Sequence, residues 1–121
     1  MRDLSKVTVA YNIPFIVMPD QTTTVRRKAI IEAAARYRVP TIYPYVFAGD
    51  EGGLISYGFE VNDIYKQAAG YVDRILRGSK PDELPVQEPV RFQLIINLHA
   101  AKSLGLVVPP IMQQRADKVI E

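Results

Sequence analysis

Asp20 stands directly behind a short apolar run, residues 13–18 (IPFIVM and then Pro19), and is followed by Gln21, Thr22, Thr23 and Thr24. A carboxylate, an amide and three hydroxyls in five successive positions can serve two kinds of chemistry. Asp20 can accept a backbone N–H as the N-cap of a helix, or it can pair with the ammonium group of a small ligand. Gln21 and Thr22 to Thr24 can offer hydroxyls, amides and helix-terminal N–H groups to a ligand carboxylate, or they can be plain loop residues. Position alone favours capping for Asp20. A second set is aromatic. Tyr43 and Tyr45 flank Pro44 behind another short apolar segment, and Ser56 and Tyr57 end a third. Rings at strand ends suit the walls of a small-molecule cleft, with hydroxyls that fix orientation. Taken singly, each tyrosine reads as a residue straddling the core boundary. The expected ligand contacts are therefore Asp20, Gln21, Thr22, Tyr43, Ser56 and Tyr57.

Other chemistries find no support. The chain contains no cysteine, which rules out disulfides, thiolate nucleophiles and Cys-based metal sites. His99 is the single histidine, too few for a His-based zinc site, and no metal or cofactor is expected. Neither a GxxxxGK[ST] phosphate loop nor a GxGxxG turn occurs. The glycine-rich stretch Gly49-Asp50-Glu51-Gly52-Gly53 precedes a strand, so it reads as turn chemistry. Ser56 is not in a GxSxG elbow. The formal net charge of +2 comes from interspersed signs with no basic run, which argues against nucleic acid as a partner. The residues carry no enzyme signature, and the chain is read as a binding protein.

These residues need elements to position them. Residues 13–18 read as a buried strand of a parallel sheet. Residues 25–38 read as a helix, with Val25, Ala29, Ile30, Ala33 and Tyr37 on one stripe and Pro40 as its stop. Residues 41–43 and 54–57 are further short strands, the first completing a βαβ crossover. Residues 61–77 form the second clear helix, with Ile64, Ala68, Tyr71, Val72, Ile75 and Leu76 on its inward stripe and Gly78 behind it. Residues 79–89 carry three prolines and read as an extended connector without a helix. Residues 92–96 are a fourth strand, Asn97 caps a short helix over 99–104, and 111–120 reads as a last helix. Alternating strands and helices predict an α/β layered, Rossmann-like sheet with flanking helices. Four strands would leave an open edge.

The order of several segments resembles one family. Gly52-Gly53-Leu54-Ile55-Ser56-Tyr57-Gly58 leads into Tyr65-Lys66-Gln67-Ala68-Ala69 and Tyr71-Val72-Asp73-Arg74-Ile75-Leu76-Arg77-Gly78, then Lys80-Pro81 and Leu84-Pro85-Val86. Phe92-Gln93-Leu94-Ile95-Ile96-Asn97, Ala101-Lys102-Ser103-Leu104-Gly105-Leu106, Val108-Pro109-Pro110 and Arg115-Ala116-Asp117-Lys118-Val119-Ile120-Glu121 complete the set. This succession resembles the C-terminal part of the ABC transporter substrate-binding proteins related to tryptophan- and tyrosine-binding lipoproteins.

The resemblance implies a remnant of a two-lobe periplasmic-binding fold, in which ligand sits between lobes and closure presents the complex to a membrane permease. It places residues 13–56 in one lobe, 57–89 in a crossing and second-lobe helix, and 90–121 in the C-terminal strand and helices of a single α/β domain. The implied ligand is a small amino-acid-like or aromatic organic molecule, and the implied partner is an ABC permease. The implied location is periplasmic. Residues 1–7 do not read as a signal peptide, so a chain complete as written would be cytoplasmic. A remnant this short is expected either to rearrange into one compact domain or to form a homodimer through an exposed sheet edge or strand exchange. The alternative function is a cytoplasmic, dimeric interaction or sensory module derived from the same fold.

Overall fold

Short β-branched segments alternating with helices build one mixed sheet. The computed structural model describes residues 13–88 and 91–121. The N-terminal residues 1–12, including those read for an export signal, and residues 89 and 90 of the connector lie outside the described residues. In chain order the elements are β1 (Phe15–Ile16), α1 (Gln21–Val25), α2 (Arg27–Arg36), β2 (Thr41–Tyr43), α3 (Phe47–Asp50) and β3 (Ile55–Phe59). There follow α4 (Val61–Leu76), a 3-10 turn (Pro81–Glu83), β4 (Phe92–Asn97), α5 (Leu98–Leu104), α6 (Pro110–Arg115) and β5 (Lys118–Ile120). The strands lie in the order β1-β2-β3-β4-β5. β1–β2, β2–β3 and β4–β5 are parallel, and β3–β4 is antiparallel. The α/β class expected from the sequence holds, with segments 13–59 and 91–121 joined in a single sheet.

Register sorts the side chains onto two faces, because paired residues point the same way and successive ones alternate. Tyr43 pairs with Ser56, and Ser56 with Ile95, so these three share a face. Against it packs a core of Ile31, Tyr43 and Ala48, with Ile30 and Val17 beside it. Asn97 fastens this layer twice. Its Nδ2 donates to the Gly49 carbonyl at 3.1 Å, and its Oδ1 accepts the Ala100 N–H at 2.9 Å, capping α5 as its position predicted. Gly105 closes that helix in the left-handed conformation, φ 74°.

Several expectations are corrected. Residues 13–18 do not form a buried strand. β1 is a two-residue strand whose Phe15 and Ile16 are exposed, and among the described residues it has a hydrogen-bonded neighbour on one side only. The first helix starts at Gln21, because Asp20 caps it there, and it breaks at Arg26 before α2 resumes. The stretch 44–53 holds the short helix α3, and the connector holds one 3-10 turn. Among the described residues the sheet has five strands, not four, because residues 111–120 are not one helix. α6 ends at Arg115, Ala116 is extended, and Asp117 locks the chain beside β4. The Asp117 N–H donates to the Leu94 carbonyl at 2.8 Å, and the Leu94 N–H donates to Asp117 Oδ2 at 2.7 Å. With both bonds made, Val119 and Ile120 continue as a parallel strand, which β-branched residues favour.

Candidate functional site

The parallel strands β1 and β2 deliver their carboxyl ends to the same side of the sheet, the side on which α/β sheets bind ligands. Beyond β1 the chain turns at Asp20, whose backbone is extended (φ −151°, ψ 153°) and whose Oδ1 accepts the Thr22 N–H at 2.7 Å. That backbone hydrogen bond is the largest of the causes holding the Asp20 carboxyl below the ordinary carboxylate range. The carboxylate is fully ionised near neutrality and exposed. Oδ1 is committed to the cap, and the group as a whole is exposed, so capping and ligand pairing are compatible. The adjoining hydroxyls are committed to the turn. Thr23 Oγ1 donates to the Met18 and Asp20 carbonyls, each at 2.9 Å.

Thr24 ties this turn to the loop behind β2. Its Oγ1 lies 2.7 Å from the Asp20 carbonyl and 3.0 Å from the Tyr45 hydroxyl. Tyr45 stacks on Phe47, with ring centroids 5.2 Å apart, and the Arg27 guanidinium lies over the other ring at 5.2 Å. Arg27 then grips Glu51 through Nε at 2.8 Å and Nη2 at 2.9 Å, a fork that matches a carboxylate. The chain of contacts Asp20–Thr24–Tyr45–Phe47–Arg27–Glu51 holds the two strand-end loops in fixed relation.

The expected contacts separate into three places. Asp20, Gln21 and Thr22 sit together, all exposed, beyond the end of β1. Tyr43 and Ser56 are register partners buried on the helix-covered face. Burial pushes the Tyr43 phenol up from its ordinary pKa, so it stays neutral in the core. Ser56 Oγ is buried without a hydrogen-bond partner among the described residues. Tyr57 points to the opposite face, exposed, and stacks on Phe92 at 5.8 Å. Thr24 and Tyr45 were in view from the sequence as loop and strand-end residues. Phe47, Arg27 and Glu51 were not, since a contact across 24 positions leaves no local signal.

A cavity of about 190 Å³ lies elsewhere, between α2 and α5, lined by Ile31, Ala35, Val39, Leu54 and Leu104 among others. Its buried polar members are already engaged: Thr41 donates to the Val39 carbonyl at 3.0 Å, and Asn97 caps α5. It is loose helix–helix packing with no unmet polar partner. Among the described residues no group of three His, Asp or Glu side chains converges to hold a metal, and no helix is long and apolar enough to cross a membrane.

A five-strand mixed sheet flanked by helices places the described residues in the class of α/β domains. The chain is more specifically a member of the family described as ABC transporter substrate binding protein, whose profile matches residues 5–120. The fold resembles that of a conserved domain protein from Vibrio cholerae O1 biovar eltor (29% identity, TM-score 0.84, 97% of this chain and 40% of that one). It also resembles an ABC domain from Streptococcus pneumonia, solved in complex with L-Trp (21% identity, TM-score 0.83, covering 96% and 39%). A ligand-free, open substrate binding protein with adhesive properties from Clostridium difficile is more distant (19% identity, TM-score 0.62, covering 96% and 39%). The chain thus spans about two fifths of the length of the structures it matches. A comparison with curated proteins finds no match.

Proposed function

We propose that this chain is part of the solute-binding component of an ABC-type importer, and that it contributes one wall of a cleft for a small amino-acid-like ligand. The observation that carries the reading is Asp20: an exposed carboxylate at the strand ends, held ionised by its own helix cap. In this reading Asp20 accepts the ligand ammonium and Gln21 and Thr22 supply polar contacts, while Tyr57, on the other face of the sheet, lies apart from them. Tyr43 and Ser56 support the strands from the core side and touch ligand only if the loops around them open. The L-Trp bound to the Streptococcus pneumonia domain supports an amino acid as the ligand class. The importer role implies an ABC permease as partner and a site of action outside the cytoplasmic membrane. A homodimer, which the sequence routes through a sheet edge or strand exchange, is part of the same proposal. Affinity of this chain alone is expected to be weak, because contacts from the remaining three fifths of the relatives' length are not in it.

Isothermal titration with L-tryptophan, L-tyrosine and indole-3-propionate tests the ligand reading. The amino acids should bind, and the analogue lacking the ammonium should not. Asp20→Asn should weaken amino-acid binding by about tenfold or more, the worth of a charge-assisted hydrogen bond of roughly 1.5–3 kcal/mol. Equal binding by Asp20→Asn and wild type, or no binding of either amino acid, removes the proposal.

A further inference from the structure

The tyrosines behind the strands have gone to different places. Tyr43 is in the core, and Tyr57 is exposed on the opposite face of the sheet. Tyr45, beyond β2, is half-buried and bonded to the turn that carries Asp20. The direction of that bond follows from its protons. Thr24 has a single hydroxyl proton, and the Asp20 carbonyl 2.7 Å away can only accept. Thr24 therefore donates to Asp20, and the Tyr45 hydroxyl, 3.0 Å from Thr24 Oγ1, donates to Thr24. This commits the phenol proton and fixes the tip of the ring. Phe47 fixes its plane, with ring centroids 5.2 Å apart and the two rings within 7° of parallel. Phe47 in turn lies under the Arg27 guanidinium, which Glu51 grips. A ring already held at its tip and against a second ring loses little freedom when a ligand meets it.

We propose that Tyr45 is the specificity-determining residue of the Asp20 site, and that it selects an amino acid whose side chain is a flat aromatic ring. The selection rests on Asp20 holding the ligand ammonium, as proposed above, and adds what meets the side chain. Asp20 alone cannot discriminate, because the ammonium is common to the amino acids. A residue that touches the side chain has to do so. In an aromatic amino acid a single methylene separates the ring from the carbon that bears the ammonium. A carboxylate and a ring fixed on two bonded loops address both groups at once. Part of Tyr45 remains open to solvent, so ring surface is left for a ligand. Apolar burial would not favour an aromatic side chain, since a saturated ring of the same size buries as much apolar area. Offset stacking on Tyr45 does favour it, by about two- to tenfold in affinity beyond the area buried.

L-phenylalanine and L-cyclohexylalanine separate the character of the ring from its size. Amide NMR titration of the whole chain reads weak binding residue by residue. It should give L-phenylalanine the higher affinity by about two- to tenfold. It should also show ring-current shifts at the Thr24 and Tyr45 amides that L-cyclohexylalanine does not produce. Tyr45→Leu should erase the preference and leave the affinity for L-cyclohexylalanine unchanged. Tyr45→Phe, which loses the bond to Thr24 and keeps the ring, should retain the preference. Asp20→Asn should weaken both ligands alike. Equal binding of the two ligands by wild type overturns the proposal and leaves the Asp20 reading standing. So does a folded Tyr45→Leu chain that still prefers L-phenylalanine. Should Tyr45→Leu not fold, the wild-type preference, its ring-current shifts and Tyr45→Phe decide. Binding of neither ligand overturns the proposal together with the Asp20 reading.

Discussion

Ser56 and Gly58 lie two residues apart on one face of β3, and each is defined by how closely the neighbouring chain approaches. A Cβ on Gly58 would stand 2.0 Å from the Pro44 carbonyl oxygen, a backbone atom with no rotamer to escape through. Gly58→Ala must therefore push β3 away from the end of β2. Such overpacking costs about 1–3 kcal/mol, and denaturant unfolding should show a loss of about 2 kcal/mol. Ser56 presents the reverse case. Its hydroxyl is desolvated and unmatched, so Ser56→Ala removes a penalty and should stabilise the chain by up to about 1 kcal/mol. The two substitutions have opposite signs at adjacent positions of one strand face. A loss from Ser56→Ala comparable to that of Gly58→Ala would mean that Oγ has a bonded partner, such as a ligand or buried water, and would return Ser56 to the binding site as a direct contact.

Elements are joined at the strand ends by side chains that are distant in sequence. Arg27 on α2 reaches Glu51 behind α3, and the pair is only partly exposed, at 34% and 23% of the side chains. Solvent still screens such a pair, so its worth stays near the upper end of the surface range. Arg27→Ala also removes the guanidinium from the face of Phe47. Together these should lower the midpoint of thermal or chemical unfolding, and Glu51→Gln, which keeps the cation–π contact, should lower it less. If Arg27→Ala has no effect, the two loops are held by Thr24 and Tyr45 alone. This strap also marks where the sequence stops being legible. β2, α4, α5 and their caps follow from local patterns: β-branched triplets, a period near 3.6, Asn97 before a helix and Gly105 after one. β5 does not, because residues 118–120 become a strand only through the backbone bonds that Asp117 makes with Leu94, 23 positions away. Of the candidate site, Asp20 and its neighbours were legible as a polar cluster behind an apolar run. The burial of Tyr43 and Ser56 was not, because which face of a strand turns inward depends on which helices cover it. The stripe on α4 was read as inward-facing for the same reason: a periodic pattern shows that a partner surface is required, not that the same chain supplies it.

Across the whole molecule, stability is concentrated on one side. Ser56, Ile95 and Ala101 are buried where β3 and β4 meet the helix-covered face, Ile96 is buried on the other face, and β3–β4 is the longest ladder, with five register pairs. α4 leaves that ladder at Phe59 and shares little of its packing. Local opening free energies follow buried contacts, so the chain should open in two steps. Amide hydrogen exchange at low micromolar concentration should find Ser56, Ile95 and Ile96 exchanging only with global unfolding, while α4 amides exchange orders of magnitude faster. Exchange in α4 as slow as in β4 under dilute conditions would mean that the helix is already packed in the monomer. The chain would then be one cooperative unit and not a stable sheet carrying a loosely packed helix.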